Sequence, residues 1–418
     1  MIKEIYTIKS KETILTVANN KITAVQKSDT TKTGLRLYEQ GKIGIAGAIG
    51  NYDENALMDK AKQMLNFNIP YAPLPTKELK REEDLSNEFT LSEVDFFRAS
   101  EELLEKLSHS YPQFSFNHKI TLEESEFSLT NDLGTNLVSK DKSVDVSLLF
   151  KHKDSKNLMD GLGSTKGRGY DVEDAFKVIS QPCGCFEEKV PLPTIHADEK
   201  IPVIFLYETN LPLMKFLTDL NGHAFGAGAS LFSNKIGEQL FGEHFTLKVS
   251  RNTKTDYLPF FDSEGTILQG DTFNLIEKGV LKSPYTSKRV ANQYGFAPTS
   301  CGFGDYDAIP DTAPVGLDIG SSGKTLDELL RGQKAIYIIV SMGGDFTPQG
   351  EFASPIQSAF LYEKGTLLGR LPQLSMRSNV FDMFNKDFIG LATNGNSIHN
   401  TYKYLALNME VNTIGDWI

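Results

Sequence analysis

The sequence predicts an α+β protein, with a mixed sheet-and-helix domain over residues 1–190 and a strand-rich domain over residues 191–418. Three observations carry that prediction. Runs of β-forming residues recur throughout the chain, and helical periodicities fall between them without a regular βαβ rhythm. Pro182, Pro191 and Pro193 then cluster where the two parts meet. With 418 residues, 40% hydrophobic and 23% charged, the composition is that of an ordinary folded protein, which excludes disordered, collagenous and low-complexity classes.

The first fifty residues read as strands. β-Formers at 14–18 and 21–25 flank a polar turn at Asn19-Asn20, and the runs at 34–38 and 44–46 flank a turn at Gln40-Gly41-Lys42. Asn51 and Asp53 are cap candidates for a helix over 54–65. Pro70, Pro73 and Pro75 make the next stretch a non-helical connector. Thr90-Leu91-Ser92-Glu93 has the spacing of a capping box and predicts a helix to about residue 108. Strands return over 118–152. Gly161–Gly169, glycine-rich with two cations, reads as a mobile surface loop, and a short helix is expected at 172–180. Beyond the prolines a buried strand is expected at 201–206 and helices at 211–220 and 229–241. Short helices are also expected at 287–294, 326–330 and 379–385 among strands and turns.

Charge and cysteine usage narrow the function. Forty-three basic residues against 54 acidic give a net charge of −11 with no sustained basic run, which argues against gripping nucleic-acid phosphate. The longest apolar runs fall far short of the ~20 residues a membrane span needs. The amino-terminal residues alternate charged and apolar types without a signal-peptide core, and three cysteines do not make a disulfide framework. The expectation is a cytoplasmic protein that binds neither nucleic acid nor membrane.

Several motifs suggest chemistry and lose it on inspection. Gly320–Thr325 resembles a phosphate loop, but Asp318 stands where its first glycine belongs, so a turn with Thr325 capping the 326–330 helix is expected. Cys183 and Cys185 are one residue apart with no second pair nearby, which is not a zinc knuckle. No two of the seven histidines stand four or five residues apart, so the helical HExxH and HExxxH metal motifs are absent. His223, after an apolar helix, stands alone. No Gly-x-Ser-x-Gly elbow is present.

The order and spacing of several segments resemble the TldD/PmbA family, once labelled modulators of DNA gyrase and better described as peptidases. The segments are Gly34-Leu35-Arg36-Leu37-Tyr38 with Gly41-Lys42-Ile43-Gly44, and Leu231-Phe232-Ser233-Asn234-Lys235-Ile236-Gly237-Glu238-Gln239. They continue with Phe261-Asp262-Ser263-Glu264-Gly265-Thr266, Leu275–Leu281, and Gly343-Gly344-Asp345 through Phe352. The likeness runs from about residue 20 to about residue 390. Chains of the TldD branch carry HExxxH on a central helix and a cysteine in a glycine-rich tail. Here the corresponding helix, 211–220, has no histidine or glutamate, and the tail at 389–395 has no cysteine. The resemblance therefore implies the PmbA/TldE-like branch.

For this chain the resemblance implies no metal site, with zinc expected only in a TldD-like, HExxxH-bearing partner. It implies a dimer, with such a partner or with itself, whose pair encloses a chamber where unfolded peptides are cut. Asp262, Glu264, Gly265, Gly279, Gly344, Asp345 and Phe352 are motif residues without an assigned role, and turn-shaping is their simplest one. Two other readings stand beside this one. One is a non-enzymatic peptide-binding or adaptor homodimer. The other is a self-sufficient hydrolase built around Asp262, Glu264 and Asp345.

Overall fold

The computed structural model describes residues 1–71, 73, 75–194, 199–206, 211–341, 343–397 and 400–417. Its first part comprises β1 (Ile2–Ala18), β2 (Lys21–Glu39), β3 (Lys42–Ile49), α1 (Glu54–Leu65), β4 (Lys80–Asp84), α2 (Glu93–Ser110), β5 (Phe114–Asn131), β6 (Asn136–His152), β7 (Gly161–Gly167) and α3 (Val172–Ser180). After β8 (Ile201–Leu206) come α4 (Met214–Asp219), α5 (Gly222–Gly226), β9 (Leu247–Ser250), α6 (Thr253–Asp256), β10 (Thr272–Glu277), β11 (Val280–Leu281), α7 (Lys288–Tyr294), β12 (Gly302–Phe303), β13 (Asp311–Thr312) and β14 (Leu317–Ile319). The chain closes with α8 (Leu326–Leu330), β15 (Ala335–Ser341), β16 (Asp345–Phe346), β17 (Glu351–Glu363), β18 (Thr366–Arg370), β19 (Leu374–Asn379), α9 (Val380–Met383), β20 (Phe388–Ser397) and β21 (Asn400–Thr413). The protein is α+β, and its second half is rich in strands.

The first sheet runs β3-β2-β1-β5-β6, and β4 and β7 share the outer edge of β6. Its hairpins turn where residues accept a positive φ: Asn19 and Asn20 at 48° and 66°, Gln40 and Gly41 at 49° and 73°. One face of β5 and β6 buries Phe114, Phe116, Ile120, Val146, Leu148 and Phe150 under α2. That helix supplies Phe96, Leu103, Leu104 and Leu107, spaced to one face and worth about 2 kcal/mol each on burial.

The last sheet closes on itself. Its order is β15-β8-β21-β19-β17-β16, and β15 also pairs with β17, so five strands form a barrel with only β15–β8 parallel. The barrel packs its interior against α4, α9 and the four-stranded sheet β11-β10-β9-β14 in one large core. Its outer face contributes Ile204, Tyr337, Phe360 and Ala406 to the core under the first sheet, so the two parts share an apolar interior.

Four expectations need correction. The cap of α2 is Ser92, whose hydroxyl accepts from Asp95 N–H, while Glu93 faces Thr13 and Lys27 and does not reach back to Thr90. Residues 161–167 form strand β7 and not a mobile loop. Gly161 and Gly163 let it lie against Phe150, Ile339 and Ile179, where a Cβ would stand 2.2 to 2.8 Å from those side chains. Residues 229–241 form no helix: Asn234 and Gly237 take φ of 63° and 92°, and the segment proceeds by turns whose apolar residues merely imitate helical spacing. The helix expected over 211–220 is a 3-10 turn followed by the short α4.

Candidate functional site

The Asp262–Thr266 segment folds as a tight turn. Gly265, at φ 70°, donates its N–H to the Asp262 carbonyl at 2.9 Å. The Asp262 carboxylate holds three backbone donors: Oδ1 accepts from Glu264 at 3.0 Å and Thr266 at 2.8 Å, and Oδ2 accepts from Gly302 at 2.8 Å. Glu264 Oε2 accepts from the Lys288 N–H at 2.7 Å, and Oε1 accepts from the Tyr71 hydroxyl. The Lys288 ammonium donates to the Glu264 carbonyl at 2.8 Å and to Thr76 Oγ1 at 2.6 Å.

Side chains of the first sheet complete this network. Arg36 on β2 donates to the Ser263 carbonyl, lies 3.4 Å from Glu4 Oε1, and stacks over Tyr6 at 5.2 Å. Tyr38 donates to the same Glu4 oxygen at 2.8 Å. Among the described residues Arg36 Nε and Nη2 find no acceptor. Arg36, Glu4, Glu264 and Asp262 are 0%, 1%, 2% and 3% exposed. Burial first, then the neighbouring Asp262 charge, raises the Glu264 carboxyl to about 7, against the lowering effects of Tyr71 and Lys288. Burial likewise holds the Tyr38 and Tyr71 hydroxyls well above their ordinary range, so both remain donors.

The other motif residues lie elsewhere. Gly279, at φ 80° after Lys278 at 48°, makes the two-residue turn between β10 and β11. A Cβ there would stand 2.2 Å from both Gln239 Nε2 and Phe241 O. Gly344, at φ 121°, passes against Ser354, whose Oγ and Cβ would be 2.6 Å from an added Cβ. Phe352 is buried with its ring 4.7 Å from Phe346. Asp345 is exposed and lines an open hollow of about 540 Å³ at one end of the barrel.

Strand register builds the floor of that hollow. Asp345 stands opposite Ala353, Ala353 opposite Arg377, and Arg377 opposite Glu410. Small Ala353 thus lies in a row of alternating charge, with Glu351, Asp382 and Lys200 around it. Lys200 is held by Asp387 at 2.5 Å, and Glu351 accepts from Asn379 at 2.7 Å. None of the residues lining the hollow belongs to the Asp262–Glu264 network. The structure therefore does not unite Asp345 with those two carboxylates.

A zinc peptidase centre does not fit the helix the sequence puts in its place. On α4 the Lys215 ammonium pairs with Asp219 at 3.1 Å, both largely buried, and Asp219 also accepts the Leu231 N–H at 2.8 Å. Phe216 is fully buried among Phe232, Phe241, Phe245 and Phe384. His223, on α5, is bound to Asp311 at 2.8 Å. Burial acts to raise the Asp311 carboxyl, but His223 and the Thr312 N–H outweigh it and leave it below its ordinary range. Among the described residues no three His, Cys, Asp or Glu side chains form a group able to hold a metal ion. His196 and His399 lie outside the described residues. Among the described residues no helix is long and apolar enough to cross a membrane.

Sequence reading missed the Glu4–Arg36–Tyr38 part of the network. Its signal was present: Arg36 interrupts the apolar run Gly34-Leu35-Arg36-Leu37-Tyr38, in which Leu35 and Leu37 are buried on one face and Gly34 and Tyr38 on Arg36's own face, so the strand has no solvent-facing side for the charge.

Comparison with known proteins bears on the whole chain. Residues 198–402 match a family model described as the PmbA/TldA metallopeptidase C-terminal domain, and residues 4–66 match the corresponding domain 1. An uncharacterized protein of Methanocaldococcus jannaschii is 25% identical over 407 residues, which is 92% of this chain and 90% of that one. The crystal structure of TldE from Thermococcus kodakarensis superposes with a TM-score of 0.80 at 17% identity, covering 98% of this chain and 96% of its own. A proposed modulator of a DNA gyrase from Thermotoga maritima gives a TM-score of 0.75, also at 17% identity and with the same coverage. These two structural likenesses speak to the fold alone.

Proposed function

The chain belongs to the PmbA/TldD family of peptidase-like proteins, and from that premise we propose that it is the metal-free, TldE-like subunit of a cytoplasmic zinc peptidase complex acting on unfolded or short peptides. One observation carries the reading. The helix at the position of the family's HExxxH motif is committed to structure, with a lysine–aspartate pair and a phenylalanine cluster where ligands and a general base would stand. In this reading an HExxxH-bearing partner would hold the zinc, which would supply activation of water for peptide hydrolysis. This chain shapes the chamber and presents sheet edges and the charged hollow at Asp345 to extended peptide.

Gentle purification of the endogenous protein, with co-eluting chains identified by mass, tests the reading. A stoichiometric partner carrying HExxxH is expected. Stoichiometric zinc with chelator-sensitive peptide hydrolysis in the isolated chain would overturn it. Recovery of the chain with only itself would replace it by a peptide-binding homodimer.

A further inference from the structure

A second hollow, of about 270 Å³, lies on the outer face of the barrel between α8 and the end of α3. Strand register sets three tyrosines there. Tyr362 stands opposite Ala335 on β15, Tyr337 lies two residues further along β15 beside Ile204, and Tyr404 stands opposite Leu206. The Tyr337 ring is 6.5 Å from that of Tyr362 and 6.1 Å from that of Tyr404. The first turn of α8 adds Asp327, whose Oδ1 accepts from the Tyr362 hydroxyl at 2.8 Å.

The capping box of α8 leaves this carboxylate available. Thr325 N–H donates to Glu328 at 2.8 Å and Glu328 N–H donates back to Thr325 at 3.3 Å, so these two helix-start donors are met without the Asp327 carboxylate. Among the described lining residues Asp327 alone is charged, and none is Lys, Arg or His. An anion meets repulsion at this place. A neutral apolar group would cover the rings but strip water from a carboxylate without pairing it. An organic cation satisfies both, with its charge against Asp327 and its body on tyrosine faces whose quadrupole favours positive charge.

We propose that the hollow formed by Tyr337, Tyr362, Tyr404 and Asp327 is a binding site for an alkylammonium group, carried by a lysine side chain or by a peptide amino terminus. The site is distinct from α4 and from the hollow at Asp345, and it stands whether or not the chain pairs with a zinc-bearing partner. Burial, followed by Asp327, raises the Tyr362 hydroxyl, and burial raises that of Tyr404, so the rings stay neutral and offer the cation ring faces and hydroxyl oxygens.

Titration calorimetry on the full chain tests this with n-butylammonium and its neutral counterpart 1-butanol. The ammonium is expected to bind at least about tenfold more tightly, a difference of about 1.4 kcal/mol. Asp327→Asn keeps an acceptor for Tyr362 and should remove about that tenfold preference with little change in melting temperature. Tyr404→Leu should weaken the ammonium and leave the alcohol nearly unaffected. Comparing Nα-acetyl-lysine methylamide with a lysine-free peptide bearing a free amino end distinguishes the two sources, and tighter binding of either supports the site. Equal affinity for 1-butanol, an Asp327→Asn chain that binds like the parent, or no binding at about 10 mM ammonium would each overturn it.

Discussion

Replacing Glu264 with glutamine isolates the titration of a single buried group. In the native chain burial and the Asp262 charge hold the Glu264 carboxyl at about 7, against an ordinary value of 4.5. At about 1.4 kcal/mol per tenfold change in proton affinity, that separation is worth about 3 kcal/mol. Its sign follows from which state holds the proton more tightly. The folded chain does, so this stabilisation is present in full below pH 4.5 and is lost as pH rises through about 7. Glutamine carries no such dependence, and its geometry is tolerable: its carbonyl can accept from Lys288 N–H while its amide faces the Tyr71 hydroxyl. Urea unfolding followed by far-ultraviolet circular dichroism at pH 5, 6, 7 and 8 should show Glu264→Gln gaining on the parent by about 2 kcal/mol across the series. Parallel curves with a constant offset would show that Glu264 does not titrate in this range, and the account of its burial would be wrong.

Other substitutions probe the same physics. Asp262→Ala leaves the buried N–H groups of Glu264, Thr266 and Gly302 without their acceptor and should cost about 3 kcal/mol or more in urea unfolding. Gly302→Ala brings a Cβ to 2.3 Å from Glu264 Oε2 and 2.9 Å from Asp262 Oδ2, and should lower stability by about 1–3 kcal/mol. Lys215→Met leaves the Asp219 carboxylate buried and unpaired, a loss of about 3–5 kcal/mol. Adding Asp219→Leu should recover part of it, and a double-mutant cycle by calorimetric melting reads the coupling. Gly279→Ala, strained at φ 80° and pressed against Gln239 and Phe241, should unfold at lower temperature than the parent.

What the sequence disclosed follows the range of each signal. Turns at Asn19-Asn20 and Gln40-Gly41, the helices α1 and α3, and the Thr325 cap are set by residues within a few positions of one another, and local chemistry reveals them. The glycines of β7 were misread because their reason is distant: Ile179 and Ile339 approach from other elements, and nothing near residue 161 in sequence announces them. Overlapping Ser/Thr-x-x-Asp/Glu patterns at Thr90 and Ser92 cannot be ranked until Glu93 is known to face Lys27, 66 positions away by the numbering. Closure of the barrel rests on β15 pairing with β17, a register that no periodicity within either strand contains. The family motif marked Asp262 and Glu264, yet the partners that define their environment, Glu4, Arg36 and Tyr71, sit near the other end of the chain.

That environment decides between the competing readings of those two carboxylates. A general base must present a lone pair to a proton on substrate, and a nucleophile must be reachable along an open path. Asp262 meets three backbone donors and Glu264 meets two donors, from Lys288 and Tyr71, while both side chains are at most 3% exposed. Glycine at 302 leaves no room for even a methyl group over them. Titration near neutrality would often mark a catalytic acid, but here desolvation without access produces it. The pair ties the first sheet and the connector after α1 to the segment between α6 and β10, where Arg36 reaches the Ser263 carbonyl and Tyr71 reaches Glu264. Asp345 has access but stands among other residues, in the hollow with Arg377 and Glu410. A hydrolase of one chain built on Asp262, Glu264 and Asp345 would need these groups at one open place. The fold spends two of them on its own backbone and on Tyr71 and sets the third apart, so the three carboxylates do not make one site.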